Sequence, residues 1–396
     1  MTDAAGARLD TAPPTGDGAP PIPFFDLRLR ERDVEAVARC LRSGWLTMGP
    51  CTRAFEEAFA GELGVRHAVA LSSATAGLHL AYLAAGVGAG DEVIVPSYTF
   101  VATAAAVLYC GATPVFADII SEEDLSLDPE DVRRRITPRT KAVACVHFAG
   151  FPAPADRLAE MCAERGLALI EDAAHAPGAT LRGRELGTWG QIGAFSLFAN
   201  KILSVGEGGL LVTDDEQAAE LARSLRSHAM SSGTWERHSG VADGYDVLAT
   251  GFNYRIDEPR SALAHSRLEQ LDSDIGARRA LTRGYRERLQ GHGGLSVPYS
   301  DEVVGESSCN MMPLLLRDGS RRDELRLALR ERHGIQTSVH FPPVHRFSAY
   351  RERFPDVSLP RTEAVCAREL SIPLFAHMSD AQLDRVTDAL WQEVDS

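Results

Sequence analysis

Lysine is almost missing from this chain, and one of its two lysines stands where an amine could do chemistry. The 41 basic residues include only Lys141 and Lys201, so arginine carries nearly all of the positive charge. Arginine serves as well as lysine for surface charge, whereas only the lysine amine can form a Schiff base with a carbonyl compound. Lys201 follows an apolar segment at residues 194–198, whereas Lys141 precedes one. Lys201 is therefore the candidate for covalent catalysis.

A carboxylate and an imidazole follow another apolar segment. Residues 167–175 read LALIEDAAH, a predicted strand that ends in Asp172 and leads to His175. Open α/β sheets bind ligands at the carboxyl ends of their parallel strands. Asp172 could equally be a helix cap, which is the commoner use of aspartate at such a position. Its place at a strand end, like that of Lys201, favours a shared site.

A helix start at residues 72–77, SSATAG, follows the predicted strand 67–71. Free N–H groups, hydroxyls and the positive end of the helix dipole converge at such a start, which suits a phosphate group. A simple capped helix would have the same pattern. The glycines at 86–90 precede a strand, and the sequence has no GxxxxGK[ST] motif, so nicotinamide and P-loop sites lose their main support.

Apolar strands alternate with amphipathic helices over most of the chain, which predicts an α/β fold with a mostly parallel sheet. The predicted strands are residues 67–71, 92–96, 114–118, 142–147, 168–172, 194–198 and 209–213. A long helical stretch at 257–289, strands near 312–316 and 336–340, and helices at 321–332 and 380–391 predict a smaller α+β domain. We therefore expect a disordered tail at 1–20, a large domain at 21–255 and a small domain at 256–396.

Composition excludes several classes of protein. A net charge of −14 disfavours binding to nucleic acid, and no apolar run approaches the length of a membrane span. The seven cysteines are scattered without a CxxC pair, and no secretory signal is visible, so we expect a cytoplasmic protein. We expect no metal site either, because Pro342 and Pro343 prevent the helical spacing that His340 and His345 would need as ligands.

Taken in order, these motifs resemble pyridoxal-phosphate enzymes of the aspartate aminotransferase fold, fold type I. More narrowly, they resemble the DegT/DnrJ/EryC1/StrS family of nucleotide-sugar aminotransferases. The matching stretches are residues 44–47, 72–81, 90–104, 111–119, 146–153, 170–179, 195–215, 251–259, 339–355 and 370–375. The resemblance covers residues 22–394, and it implies a mostly parallel seven-stranded sheet in the large domain.

The resemblance implies that pyridoxal 5′-phosphate (PLP) is the cofactor and assigns roles to its neighbours. Lys201 would bind the aldehyde of the cofactor and then move a proton between the substrate carbon and the C4′ atom of the cofactor. Asp172 would pair with the pyridinium nitrogen, and His175 would lie near the phenolic oxygen.

The resemblance also implies which residues surround the phosphate and the ring. Ala74, Thr75 and Ser196 would hold the phosphate. Phe100, rather than Tyr98, would stack on the ring. Asn253, with Arg255 as a second candidate, would reach the phosphate of a partner subunit in a homodimer with shared active sites.

The implied reaction is amination of a nucleotide-linked keto-sugar, with L-glutamate as the amino donor. We expect amination at C4 of a dTDP-4-keto-6-deoxyhexose, with C3 amination as the alternative. The candidates for the sugar side of the site are Trp45, Glu207, His340 and His345. The presence of Lys201 disfavours the related 3-dehydratases, in which histidine replaces it. A non-catalytic regulator would need a helix-turn-helix or a basic surface, and the sequence indicates neither.

Overall fold

The computed structural model describes residues 20–394, and the tail predicted at residues 1–20 lies outside them except for Pro20. The elements up to residue 238 are α1 (Glu31–Ser43), α2 (Pro50–Leu63), β1 (His67–Leu71), α3 (Ala74–Ala84), β2 (Glu92–Pro96), α4 (Ala102–Tyr109), β3 (Thr113–Ala117), α5 (Pro129–Arg135), β4 (Thr140–Val146), α6 (Ala155–Arg165), β5 (Ala168–Asp172), β6 (Thr180–Leu181), β7 (Arg184–Glu185), β8 (Ile192–Ser196), β9 (Gly209–Thr213), α7 (Glu216–Arg226) and α8 (Thr234–His238).

The elements after residue 238 are α9 (Glu258–Leu268), α10 (Leu271–Arg288), β10 (Leu295–Ser296), β11 (Met312–Leu316), α11 (Arg322–His333), α12 (Ser348–Arg351), α13 (Pro360–Arg368), β12 (Glu369–Ile372) and α14 (Asp380–Val394). Single 3₁₀ turns occur at Phe148–Gly150, Glu302–Gly305, Gly319–Arg321 and Val344–Arg346.

Seven strands form the central sheet, in the order β1-β9-β8-β5-β4-β2-β3. Strand β9 runs antiparallel to both of its neighbours, and every other adjacent pair is parallel. Six of the seven strands therefore point the same way, so their carboxyl ends meet at one edge of the sheet. The prediction of a mostly parallel seven-stranded sheet is confirmed.

The predicted strands agree with the structure because their apolar pattern reflects burial on both faces. Strands β1, β2, β5 and β9 match the prediction at both ends, and the other three differ by one or two residues. Helices α3, α4 and α7 cover one face of the sheet, while α2 and α6 cover the other. Because the sheet lies between two helical layers, its strands consist of continuous apolar runs rather than alternating ones.

A second, smaller sheet of order β10-β11-β12 is antiparallel throughout and packs with α10, α11 and α14. Ile22 joins this core, because its N–H donates to the Gly334 carbonyl at 2.9 Å and its carbonyl accepts from the Gln336 N–H at 3.0 Å. The start of the described chain thus packs with its C-terminal part, while α9 packs against α1 and α2. The predicted boundary at 255/256 stays a prediction.

Two elements differ from the prediction. The helical stretch predicted at 257–289 is two helices, because the chain turns after Leu268 and brings Leu271 and Ile275 against Ile202. The strand predicted at 336–340 is absent from the described structure; within residues 335–340, only Ile335 and Ser338 form isolated bridges. These two bridges join different partners, Ile22 and Ser371, so no continuous ladder develops.

No helix within residues 20–394 combines the length and the apolar character that crossing a bilayer requires. The seven cysteines all lie in this range as free thiols.

Candidate active site

A cavity of about 380 Å³ opens at the edge of the sheet where the parallel strands end. Its lining includes nine of the residues singled out from the sequence: Ala74, Thr75, Phe100, Asp172, His175, Ser196, Lys201, Glu207 and His340. These residues come from five separate segments of the chain: 74–75, 100, 172–175, 196–207 and 340. The parallel sheet brings them together, because each segment follows a strand end or lies against that edge.

One end of the cavity is the first turn of α3. The hydroxyl of Ser73 caps this helix by accepting a hydrogen bond from the Ala76 N–H at 3.1 Å. The N–H groups of Ala74 and Thr75 have no acceptor within the helix and adjoin the cavity, where the helix dipole favours an anion. A side chain at Gly209 would bring its Cβ within 2.4 Å of the Ala74 nitrogen, so glycine lets β9 pack directly against the start of α3.

Ser196 lies beside this end of the cavity, at the last position of β8. Its Oγ accepts a hydrogen bond from the Phe198 N–H at 3.3 Å, which leaves the hydroxyl proton available for donation. The Ser196 hydroxyl, together with the backbone N–H groups of Ala74 and Thr75 at the start of α3, forms a neutral donor set that suits a phosphate.

Asp172 is the buried carboxylate of the cavity. Its Oδ2 accepts a hydrogen bond from the Thr103 hydroxyl at 2.7 Å, and its Oδ1 accepts from the Ala174 N–H at 3.2 Å. Burial raises the pKa of Asp172, although these two hydrogen bonds and the charge of Lys201 oppose the rise. A cationic ligand group beside Asp172 would relieve this desolvation cost.

Lys201 lies in the turn between β8 and β9, where its N–H donates to the Phe198 carbonyl at 2.9 Å. Burial lowers the pKa of the Lys201 amine to about 8, and the charge of Asp172 partly opposes this. A lysine with such a pKa carries a substantial fraction of the neutral, nucleophilic amine near neutral pH. The pocket thus activates the one lysine that faces it.

His175 and Phe100 stand on the walls of the cavity. The Nδ1 atom of His175 accepts a hydrogen bond from the Ala149 N–H at 3.2 Å, so the neutral ring carries its proton on Nε2. Burial lowers the pKa of His175 well below its usual range, which keeps the ring neutral. Phe100 is 56% exposed at the cavity, whereas Tyr98 is buried and donates its hydroxyl to the His340 carbonyl.

Two residues proposed for the sugar side lie away from this cavity. His345 is buried, with Nδ1 at 2.7 Å from the Ser97 hydroxyl and Nε2 at 3.1 Å from the Glu363 carboxylate. Trp45 lines a separate cavity of about 970 Å³ together with Trp235. Within one chain, the structure thus brings only Glu207 and His340 of the four sugar-side candidates to the cavity.

Asn253 also lies outside the cavity of its own chain, and its side chain is exposed. The segment around it is anchored at the rim, because the Ser72 N–H donates to the Tyr254 carbonyl at 2.7 Å. An exposed amide on a fixed segment beside the rim is open to a second subunit.

Several residues in or beside the cavity were not predicted from the sequence. Thr103 holds Asp172, and Thr99 contacts Thr103 through their hydroxyls at 2.9 Å. Their spacing of four residues just after β2 was a detectable signal. Met311 and Phe341 also line the cavity, but no local pattern marks them, because they reach it from the C-terminal part of the chain.

This chain is similar to a known protein family and to several solved structures along most of its length. The model of the DegT/DnrJ/EryC1/StrS aminotransferase family matches residues 28–391. DesV of S. venezuelae, solved in complex with a ketimine intermediate, is 38% identical over 96% of this chain and 100% of that chain, with a TM-score of 0.87. DesI, solved in the presence of its TDP-sugar product, is 36% identical over 94% of this chain and 92% of that chain, with a TM-score of 0.83.

A third similar structure is the aminotransferase TlmJ from Streptoalloteichus hindustanus. It is 34% identical over 95% of this chain and 99% of that chain, with a TM-score of 0.87. The similarity extends over nearly the whole length of each protein, so it includes the cavity and both sheets.

Proposed function

Since this chain belongs to the DegT/DnrJ/EryC1/StrS aminotransferase family, we propose that it transfers the amino group of L-glutamate to C4 of a dTDP-4-keto-6-deoxyhexose. Sugar amination with PLP is the chemistry of the family. The choice of C4, of the nucleotide and of the donor is our proposal. Its main structural support is that the Lys201 amine and the Asp172 carboxylate share one cavity with the start of α3.

The residues of the cavity fit PLP by the chemistry of their donors. The first turn of α3 and the Ser196 hydroxyl would hold the phosphate. The buried Asp172 carboxylate would accept a hydrogen bond from the protonated pyridinium nitrogen. Lys201 would hold the aldehyde carbon through its amine. Phe100 would cover one face of the ring.

The chemistry that PLP supplies when bound is an aldehyde carbon that carries the amino group and a ring that withdraws electrons from the reacting carbon. Asp172 would keep the ring nitrogen protonated, because its negative charge stabilises the cation in a buried site. Lys201, once its amine is free, would take the proton from the substrate carbon and deliver it to the C4′ atom of the cofactor. Ala74, Thr75 and Ser196 would hold the phosphate in place during both transfers.

The choice of substrate is supported by the resemblance of the motifs to enzymes that act at C4, and by DesI, whose product is a TDP-sugar. Glu207 and His340 would face the sugar, because both line the cavity beside Lys201. We also place the reaction in the cytoplasm, in keeping with seven free thiols.

The test is amination of a panel of nucleotide sugars. The purified enzyme, loaded with PLP, would be incubated with L-glutamate and with dTDP-, UDP- and GDP-linked 4-keto and 3-keto sugars. Mass spectrometry would detect the amine, and NMR of the product would locate it. Amination of the dTDP-4-keto sugar at C4 is expected, amination confined to 3-keto sugars would support the C3 alternative, and no amination of any sugar would contradict the function.

We further propose that the enzyme is a homodimer in which Asn253 serves the phosphate of the partner subunit. Lys201→Ala and Asn253→Ala subunits, each inactive alone, would be allowed to exchange at random. Half of the dimers are then mixed, and each mixed dimer holds one site with both defects and one intact site, so activity recovers to about one quarter of wild type. If Asn253 serves its own subunit, every site of a mixed dimer carries one defect and no activity returns.

A further inference from the structure

Two histidines face the cavity, and their rings are held in different ways. The backbone N–H of Ala149 donates to Nδ1 of His175, so this ring has one fixed neutral form. The Nδ1 atom of His340 lies instead 3.0 Å from the hydroxyl of Ser371, which can either donate or accept. His340 can therefore adopt either neutral form, according to the direction of that hydrogen bond.

The hydrogen bonds continue from His340 into the protein core. The Oγ atom of Ser371 lies 2.5 Å from Oε1 of Glu369, and Oε2 of Glu369 accepts the backbone N–H of His340 at 2.6 Å. Glu369 and Ser371 are fully buried on β12, whereas His340 lines the cavity. The Nε2 atom of His340 has no hydrogen-bond partner in the described part of the chain. A continuous path thus leads from a buried carboxyl group to the cavity.

We propose that Glu369, Ser371 and His340 form a proton relay that lets the imidazole of His340 give a proton to the reacting substrate and take it back. In the proton-loaded, neutral state of the relay, Glu369 is protonated and donates to Ser371, Ser371 donates to Nδ1, and Nε2 carries the proton. When Nε2 gives up this proton, the Ser371 proton moves to Nδ1 and the Glu369 proton moves to Ser371. Glu369 is then a carboxylate, and uptake of a proton at Nε2 reverses each shift.

The acid–base properties of Glu369 and His340, the two ends of the relay, agree with this geometry. Burial raises the pKa of Glu369 to about 8, although hydrogen bonds from Ser371 and from the His340 N–H and the charges of Arg322 and Arg326 oppose the rise. Burial lowers the pKa of His340 to about 4, helped by the charge of Lys201. Glu369 can thus store a proton near neutral pH, and His340 can pass it on without becoming an imidazolium.

The use of the relay rests on the proposed function. When the amino group replaces the keto oxygen of the sugar, the oxygen leaves as water, so it must gain protons while the nitrogen loses them. His340 would donate from Nε2 to the departing oxygen and regain a proton released by the nitrogen. Lys201 moves the proton at carbon, so the two residues divide the proton transfers between them.

The relay can be tested without cofactor or substrate, by following the neutral form of His340 with NMR of the ¹⁵N-histidine-labelled apoprotein. The ¹⁵N shifts show which ring nitrogen carries the proton, and loss of a signal in His340→Asn assigns it. Between pH 6 and pH 9.5, we expect the proton of His340 to shift from Nε2 to Nδ1 with a midpoint near the pKa of Glu369, about 8.

Other titrating groups near the relay need a control. Arg322 and Arg326 from α11, together with Cys366 from α13 and Tyr98 after β2, face Glu369, while Lys201 and His175 face His340. Of these, Lys201 has a pKa of about 8, within the range of the experiment. The shift in the proton position should therefore persist in Lys201→Ala, and its loss there would overturn the assignment to Glu369.

Glu369→Gln and Ser371→Ala decide the mechanism. In Glu369→Gln the His340 N–H holds the amide oxygen, so the amide nitrogen donates to Ser371 and Nε2 keeps its proton at every pH. In Ser371→Ala the link is cut, and the proton position no longer follows pH. A wild-type ring that does not change with pH, or a Glu369→Gln ring that still does, would overturn the relay.

Kinetics then test whether the enzyme uses the relay. Both variants should lower kcat by about 10²-fold, as loss of general acid–base catalysis does, with KM for the sugar nearly unchanged. An unchanged kcat in both variants, despite loss of the NMR transition, would overturn the catalytic role. If the wild type shows the transition but aminates no sugar, the proposed function fails and the proton path stands.

Discussion

Glu171 and Asp172 are neighbours on β5, yet their carboxyl groups lie on opposite faces of the sheet and have different surroundings. Successive side chains of a strand point to opposite sides, so one residue of the pair adjoins the cavity and the other faces the packed interior. Both are almost completely buried. The comparison separates a carboxylate that stabilises the fold from one that is available to a ligand.

Every oxygen of Glu171 is used by the protein. Its Oε2 accepts from His147 Nε2 and from the Gly187 N–H, each at 2.9 Å, and its Oε1 accepts from the Gly190 N–H at 2.7 Å. The Nδ1 atom of His147 accepts the Ala153 N–H at 3.1 Å, so Nε2 carries the proton. Cys145, His147 and Glu171 are residue types that bind metals, but these hydrogen bonds explain the cluster as structural.

Asp172 can accept further hydrogen bonds. It accepts one hydrogen bond at each oxygen, from Thr103 and from Ala174, and it adjoins the cavity that Lys201 also lines. The difference teaches that burial alone does not mark a functional carboxylate. A buried acid whose hydrogen bonds are incomplete and which adjoins a cavity is the stronger candidate.

The largest effect is expected at Lys201, the partner of Asp172 across the cavity. Lys201→Arg keeps the charge but removes the nucleophilic amine, so transamination should fall by at least about 10⁴-fold while the fold survives. Lys141→Arg is the matched control and should keep full activity. Borohydride treatment of the PLP-loaded enzyme should label the peptide that contains Lys201, and labelling at Lys141 would contradict the site.

Asp172→Asn comes next and tests the functional side of the pair. The amide cannot stabilise a protonated ring nitrogen, so kcat should fall by about 10²–10³-fold in the glutamate and the sugar half-reactions alike. Stopped-flow absorbance of each half-reaction measures this. A defect confined to the sugar half-reaction would show that Asp172 serves substrate binding instead.

The rate at which the apoprotein binds PLP should depend on pH through Lys201. The pKa of about 8 is lower than that of an ordinary lysine, and only the neutral amine attacks an aldehyde. Below pH 8 the rate should fall about tenfold per pH unit, and above pH 8 it should level off, whereas an ordinary lysine would gain rate up to about pH 10.4. Absorbance of the bound cofactor records the rate, and a rise that continues past pH 9 would contradict the lowered pKa.

Glu171→Gln should give the opposite pattern, with the smallest effect on activity. Its amide nitrogen would face one of the N–H donors that Glu171 now accepts, so the free energy of unfolding should drop by about 1–3 kcal/mol. Activity of the folded variant should stay within about twofold of wild type. Urea unfolding and steady-state rates measured beside Asp172→Asn test the comparison, which fails if Glu171→Gln loses activity without losing stability.

Much of the site was predictable from local sequence. Strand ends are readable from apolar runs, and the rarity of lysine singled out Lys201, which the structure places beside Asp172 in one cavity. The helix start after β1 was also predictable, because capping hydroxyls and the preceding strand are local features. The alternation of strands and helices in the sequence was sufficient to predict a mostly parallel sheet.

Other features depended on contacts between distant segments. The sequence offered His340 and His345 as equals, but only the fold places one at the cavity and buries the other between Ser97 and Glu363. The fold likewise places Asn253 outside the cavity of its own chain, which no local sequence pattern indicated. Contacts of this kind follow from the order of the strands and the docking of the C-terminal part, which leave no local pattern.

The amino-acid sequence by itself determined the fold class and the family resemblance and singled out Lys201 and Asp172 as candidates, because periodic burial and residue type are properties of short segments. Only the tertiary structure decided that Glu171 accepts three hydrogen bonds away from the cavity whereas Asp172 accepts two and adjoins it, and that Glu369 reaches the cavity through Ser371 and His340. The physical reason is that a carboxylate acquires its role from the donors around it. Those donors come from segments that meet only when the chain has folded.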